Sequence, residues 1–252
     1  MKIAIVTGAS AGLGEELLKQ AVLRFPSVEG FWLIARSREK LEALAASLPE
    51  RRFRALPLDL CREESFGKLR EVLTEEKPDL RLLVNNAGCG YLANIGEGPL
   101  EDQTRMVDLN VRAMTAVTHL CLPYMRTGAR IINISSIASF CPNPRMTVYS
   151  STKAYVSSFS RGLSEEVKAR GIVVTAVCPG PMDTSFLTAG HIKGRSKTFE
   201  TLPYCKPAAV AEGAVRAAIR GQAVYTPRAF FKFYRVVAKL LPSAVMVKAT
   251  KT

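Results

Sequence analysis

Tyr149 and Lys153 stand four residues apart in Tyr-Ser-Ser-Thr-Lys, 13 residues after Ser136. Residues at that spacing share one face of a helix. A free tyrosine, with a pKa of about 10, shuttles protons poorly near neutral pH. A neighbouring ammonium favours the phenolate, so the pKa of Tyr149 is expected to fall. A serine hydroxyl can hold an oxygen on which negative charge develops. Such a trio suits the interconversion of a carbonyl and an alcohol. Ser136 ends an apolar run and is the candidate. Ser135 would face the opposite side of a regular strand.

A second pattern opens the chain, in Thr7-Gly8-Ala9-Ser10-Ala11-Gly12-Leu13-Gly14. Gly8 permits a tight turn. Gly12 and Gly14 let backbone approach a pyrophosphate and let the following helix pack on a sheet. The amino terminus of that helix would face the phosphate charge. An ordinary glycine-rich turn reads the same in isolation, but this one lies between an apolar run and an amphipathic stretch. The expected cofactor is therefore a nicotinamide dinucleotide, whose positive ring would also favour the Tyr149 phenolate. Gly8, Ser10, Gly12, Leu13 and Gly14 are its expected cradle.

The second apolar run ends Leu33-Ile34-Ala35-Arg36-Ser37-Arg38. A carboxylate there would bind the ribose 2′-hydroxyl of NAD. Ala35 holds that position and Arg36 follows. A guanidinium pairs with a 2′-phosphate, so NADP(H) is favoured. The alternative is that Arg36 and Arg38 are solvated residues at a helix start. Asp59 and Leu60 follow the third run, where adenine would lie. Asn86, Ala87 and Gly88 follow the fourth, in Asn-Asn-Ala-Gly, and can tie a strand end to its neighbours.

These residues need a scaffold. Apolar runs at 2–6, 30–35, 52–57, 80–84, 129–134, 171–177 and 222–226 read as strands buried on both faces. Helical periods separate them, at 13–24, 39–48, 63–74, 101–126, 147–169 and 208–220. The alternation predicts one α/β domain over residues 1–252, a doubly wound parallel sheet of about seven strands with sites at the strand carboxyl ends. Residues 179–206 show little periodicity and read as a lid over the site.

Composition narrows the class further. The chain of 252 residues is long enough for a sizeable core, and its apolar fraction is 48%. No apolar run spans a bilayer, and no signal peptide is visible. The six cysteines have no zinc-binding spacing and read as free thiols, so no metal is expected and a cytoplasmic location is. The net charge of +13 favours polyanions, phosphorylated cofactors among them, or simply keeps the protein soluble. No nucleic-acid motif is present.

Taken together, the chain resembles the short-chain dehydrogenase/reductase family over about residues 1–225. The matching segments are TGASAGLG (7–14), LDL (58–60), NNAG (85–88), Asn110, ISS (134–136), YSSTK (149–153) and PGPMDT (179–184). The resemblance implies Asn110, Ser136, Tyr149 and Lys153 as a catalytic tetrad, with Asn110 supporting a water that links Lys153 to solvent. It also implies that Tyr149, Lys153, Pro179, Gly180, Met182 and Thr184 contact the nicotinamide end, and that the protein is a homodimer or homotetramer. Two positions depart from the pattern. Ala11 stands where many NADP-preferring relatives carry a cation, and Ser139 where a glycine is usual.

The substrate is less legible. Residues 89–93, 137–145 and 185–205 could line its pocket. Phe140, Cys141, Met146, Phe186 and Leu187 would make that pocket apolar. A basic amphipathic extension follows at 228–252. Arg228, Lys232, Arg235 and Lys239 recur at helical spacing among Phe230, Phe231, Phe233, Tyr234, Val237, Leu240 and Leu241. It could pack on the protein, gate the site or meet a membrane peripherally through 228–241. The expectation is an NADP(H)-dependent oxidoreductase for a lipophilic carbonyl or alcohol of hydroxysteroid or 3-oxoacyl type. The competing expectation is an NADP-binding sensor or scaffold that docks through its basic tail.

Overall fold

Isoleucine, valine and leucine dominate the short apolar runs, and these form the centre of the molecule. The structure, a computed structural model, describes residues 1–49, 51–192 and 194–250. Lys193 of the expected lid and Lys251 and Thr252 of the tail lie outside the described residues. The strands are β1 (Lys2–Thr7), β2 (Gly30–Ala35), β3 (Arg52–Pro57), β4 (Asp79–Asn85), β5 (Met125–Ile134), β6 (Val173–Val177) and β7 (Val224–Tyr225). All pair in parallel, in the order β3-β2-β1-β4-β5-β6-β7. This is the seven-stranded doubly wound sheet that the alternation predicted.

The helices are α1 (Gly12–Arg24), α2 (Arg38–Ala46), α3 (Glu63–Glu76), α4 (Leu100–Val107), α5 (Met114–Cys121), α6 (Thr147–Glu166), α7 (Ser185–Ala189), α8 (Lys197–Thr201), α9 (Pro207–Ile219), α10 (Ala229–Leu240) and α11 (Ser243–Ala249). They cover both faces of the sheet. In β1, Ala4 and Val6 join one core with Leu17 and Leu18 of α1 and Val210 of α9. Ile3 and Ile5 point the other way, into a second core with Leu69 of α3, Val117 of α5 and Leu163 of α6. Alternate residues of a strand face opposite sides, so a strand between two helical layers must be apolar throughout. The strand order reverses between β1 and β4, which opens a crevice at their carboxyl ends.

Several boundaries differ from expectation. The stretch 101–126 is not one helix. α4 gives way to a π-helical stretch at Asp108–Ala113, then α5, then a 3₁₀ turn at Leu122–Tyr124. Pro123 lacks an N–H and sits in that turn. β5 begins at Met125, where it pairs with Leu80, earlier than 129; Met125 to Gly128 carries little apolar pattern to announce it. Helix α6 ends at Glu166, and Gly171, at φ 67°, turns the chain into β6. β7 is only two residues long. The expected lid contains α7 and α8, and the tail holds a second helix, α11, beyond Pro242.

Candidate active site

The glycine turn links β1 to α1 at the crevice. Gly8 and Gly12 have φ of 63° and 58°, a region that side chains disfavour. A Cβ on Gly8 would lie 2.8 Å from Asn86 Nδ2, and one on Gly14 would overlap the Gly8 carbonyl. Asn86 returns the contact. Its Nδ2 donates to the carbonyls of Thr7 at 3.1 Å and Gly8 at 3.0 Å. Thr7 Oγ1 accepts from the N–H groups of Asn86 and Ala87, both at 3.0 Å. The Asn-Asn-Ala-Gly segment thus ties β4 to β1. Asn85 continues the ties inside, donating to Thr118 Oγ1 at 2.9 Å and Asn133 Oδ1 at 2.8 Å. Asn133 in turn donates to Ser160 Oγ of α6 at 2.9 Å.

A cavity of ≈ 960 Å³ runs from this turn along the ends of the strands. Every position named for the dinucleotide lines it, from Gly8 through Arg36, Asp59 and Gly88 to Thr184. So do Ser136, Tyr149 and Lys153. Ala11, without a cation, caps α1 with no side-chain bond, whereas Ser37 caps α2 by accepting from the Lys40 N–H at 3.3 Å. Lys40 also lines the cavity and was not anticipated. It stands in the first turn of α2, three residues after the Ser37 N-cap.

Tyr149 and Lys153 project from the first turns of α6, both buried. Ser136 stands near enough to the Tyr149 hydroxyl to favour its charged form. Lys153 Nζ lies 5.7 Å from the Tyr149 ring centre and donates to the Ile134 carbonyl at 2.9 Å. Ser135 turns away, as expected, and bonds the Lys153 carbonyl and Ser157 Oγ, each at 2.8 Å. Ser139 donates to the Ser136 carbonyl at 2.7 Å, closing the turn where a glycine was usual.

The electrostatics differ from the expected fall in the tyrosine pKa. Burial pushes the Tyr149 phenol up to about 12, and the nearby Ser136 only partly opposes it. Burial also pulls Lys153 down to about 8. Removing either group from water penalises its charged form. The expectation weighed the pull of the ammonium and of the nicotinamide ring on the phenolate and left out the cost of placing the pair in a dry pocket.

Asn110 does not line the cavity. It sits behind Gly88, where an added Cβ would lie 2.9 Å from Asn110 Oδ1 and 3.4 Å from Lys153 Nζ. Its Oδ1 accepts from the Cys89 N–H at 2.9 Å, and its Nδ2 donates to the Cys89 carbonyl at 2.8 Å and to Thr152 Oγ1 at 3.0 Å. The π-helical stretch, common at functional sites, carries it there.

At the substrate end the lining is apolar. Met146, Phe186 and Leu187 contribute as expected, and the Phe186 ring lies 5.7 Å from that of Tyr149. Phe140 and Cys141 do not line the cavity. The Phe140 ring packs 5.9 Å from that of Tyr234, and Cys141 is buried beside Thr250. Both residues meet the tail instead. It packs on the chain's own core, with Phe231 fully buried against Gly180, where a Cβ would overlap its ring. Phe230, Tyr234 and Thr250 line the cavity as well. Of the alternatives in the sequence, the arrangement shows packing on the protein, with the tail also bordering the cavity.

Comparison with known proteins agrees with this fold. The model of a family described as short chain dehydrogenase matches residues 2–191. An uncharacterized oxidoreductase of Staphylococcus aureus is 30% identical over 198 residues, 78% of this chain and 84% of that one. A very-long-chain 3-oxoacyl-CoA reductase of Anas platyrhynchos is 37% identical over 186 residues, 70% of this chain but 58% of that one. A short-chain dehydrogenase from Sphingobium yanoikuyae, solved in complex with NADPH, superposes with a TM-score of 0.79 at 25% identity, covering 97% of this chain and 98% of that one.

Proposed function

The chain belongs to the short-chain dehydrogenase family, and from that premise we propose an NADP(H)-dependent oxidoreductase that interconverts a carbonyl and a secondary alcohol on a lipophilic substrate. The observation that carries this reading is that Ser136, Tyr149 and Lys153 line the same cavity as the glycine turn, with Lys153 Nζ 5.7 Å from the Tyr149 ring centre.

The cradle fits a dinucleotide. Gly8 and Gly14 leave no room for a Cβ, so backbone alone forms the wall beside the α1 amino terminus. Arg36 and Lys40 stand on the cavity rim, where a 2′-phosphate needs cations. The NADPH in the Sphingobium yanoikuyae relative supports the same choice. When bound, the reduced nicotinamide supplies the hydride.

The chain's own groups manage the oxygen and its proton. Ser136 Oγ hydrogen-bonds the carbonyl oxygen and lowers the cost of its growing charge. Tyr149 Oη donates its proton to that oxygen as it becomes an alkoxide. Lys153, with its pKa pulled down to about 8, can return a proton near neutral pH. A phenol pushed up to about 12 keeps its proton at neutral pH, the form that donates to a carbonyl oxygen. Met146, Phe186 and Leu187 supply an apolar wall that suits hydroxysteroid or 3-oxoacyl substrates, and the 3-oxoacyl-CoA reductase relative supports the second class.

The test is oxidation of NADPH and of NADH across ketosteroids, 3-oxoacyl thioesters and small hydrophilic ketones. The expected result is NADPH-dependent turnover of a lipophilic carbonyl. Preference for NADH, or for the hydrophilic ketones, overturns the corresponding part of the reading.

A further inference from the structure

Helix α10 has two apolar sides, and the protein buries only one of them. Phe231 points inward and is fully buried. Phe233, Val236 and Leu240, three and four residues apart, share the opposite side. Phe233 is 69% exposed and Leu240 77%. Leu241 and Val245, just beyond, are exposed too. Core packing accounts for none of these. A contiguous exposed apolar patch on a soluble protein marks a contact surface.

The charges around the patch say what it meets. Lys232 and Lys239, seven residues apart, run along one edge of this side, and both are exposed. After Glu212 the chain has eight Lys and Arg and no Asp or Glu. A second copy docking through the same side would bring lysine against lysine with no tail carboxylate to offset them. An anionic lipid surface meets both needs. Its acyl boundary accepts the apolar stripe and its headgroups attract the lysines, which is how an interfacial helix binds. No helix among the described residues is long and apolar enough to cross a membrane, so contact is from one side.

We propose that α10 and the start of α11 dock the protein on an anionic bilayer. The cavity then opens beside the lipid. Phe230 lies at the edge of the exposed stripe, is half exposed and also lines the cavity. A lipophilic substrate dissolved in the bilayer would pass along it without crossing water. Docking stands without the proposed substrate class; delivery rests on it.

The experiment is sedimentation of the full chain with phosphatidylcholine vesicles, with and without phosphatidylserine. Two double variants accompany it, Phe233→Glu with Leu240→Glu and Lys232→Gln with Lys239→Gln. NADPH binding, read by fluorescence, checks that each variant is folded. All four side chains are exposed and none lines the cavity. The expected result is binding to the phosphatidylserine vesicles that the glutamate pair abolishes. The glutamine pair should weaken it about fivefold per lysine, more at low salt than at high. Binding that ignores phosphatidylserine, or that survives the glutamate pair, overturns the proposal. So does a dimer in solution that the glutamate pair dissociates while the wild type leaves vesicles untouched. These readouts need no turnover, so a wrong substrate class would leave them intact.

Discussion

Asn110 grips Cys89 by both of its backbone polar groups, accepting from the N–H at 2.9 Å and donating to the carbonyl at 2.8 Å. Through Thr152 it also holds α6, the helix that carries Tyr149 and Lys153. One side chain therefore fixes the distance between the end of β4 and the proton-donating pair. The π-helical stretch sets it at the right depth.

Asn110→Ala leaves the Cys89 N–H and carbonyl without these partners. Each unsatisfied buried group costs about 1–3 kcal/mol. At about 2–4 °C per kcal/mol for a protein of this size, the melting temperature should fall by several degrees. Turnover should fall with it, while the Kd for NADPH changes little, because the glycine cradle is untouched. Calorimetry and NADPH fluorescence titration check the two parts.

Tyr149→Phe removes the proton and keeps the ring beside Phe186. The expected loss in kcat is about 10²–10⁴-fold. NADPH binding should remain close to that of the wild type. Stopped-flow measurement of NADPH oxidation with an active carbonyl reads the first part, and equal turnover by this variant would remove the proposed proton donor.

Stability should depend on pH through the same two residues. Lys153 has its pKa pulled below the ordinary lysine value to about 8, so the folded state is penalised at low pH. That penalty is relieved as pH rises from about 8 towards the unfolded value near 10.4. Tyr149 works in the opposite sense. Its pKa is pushed up to about 12, and its contribution is lost as pH rises from about 10 through 12. Lys153→Met removes the first effect. The variant's stability relative to the wild type should be greatest below pH 8 and should decline between about pH 8 and 10.4. The lost bond to the Ile134 carbonyl shifts the whole difference, so its slope with pH is the measurement, taken from urea melts across that range.

Arg36→Leu should weaken NADPH more than NADH. A charge-assisted hydrogen bond is worth about 1.5–3 kcal/mol, or roughly 10–100-fold in affinity. The Kd for NADH should change by less than about twofold, since NADH lacks the 2′-phosphate that Arg36 would hold. Lys40→Leu should act in the same direction by a smaller amount, because an ammonium offers no two-pronged fork. Equal weakening of both cofactors would place neither residue at the 2′-position.

Much of this protein is determined by sequence alone because the signals are local. The Val-Ile-Leu runs must be strands between two helical layers, since nothing else buries both faces of so short a segment. Gly8, Gly12 and Gly14 must make a turn that side chains would block. The four-residue step from Tyr149 to Lys153 must put both on one side of α6. Tertiary structure decided the rest, because it depends on groups far apart in the chain. Phe231 meets Gly180 across 51 residues and brings the tail to the cavity, and Phe140 and Cys141 pack on that tail. Asn110 finds Cys89 only through a π-helical widening that no periodicity announces. The direction of the Tyr149 pKa also escaped a local reading. A neighbouring cation can be counted along the sequence, but the cost of losing water depends on everything packed around the pair, and here that cost is larger.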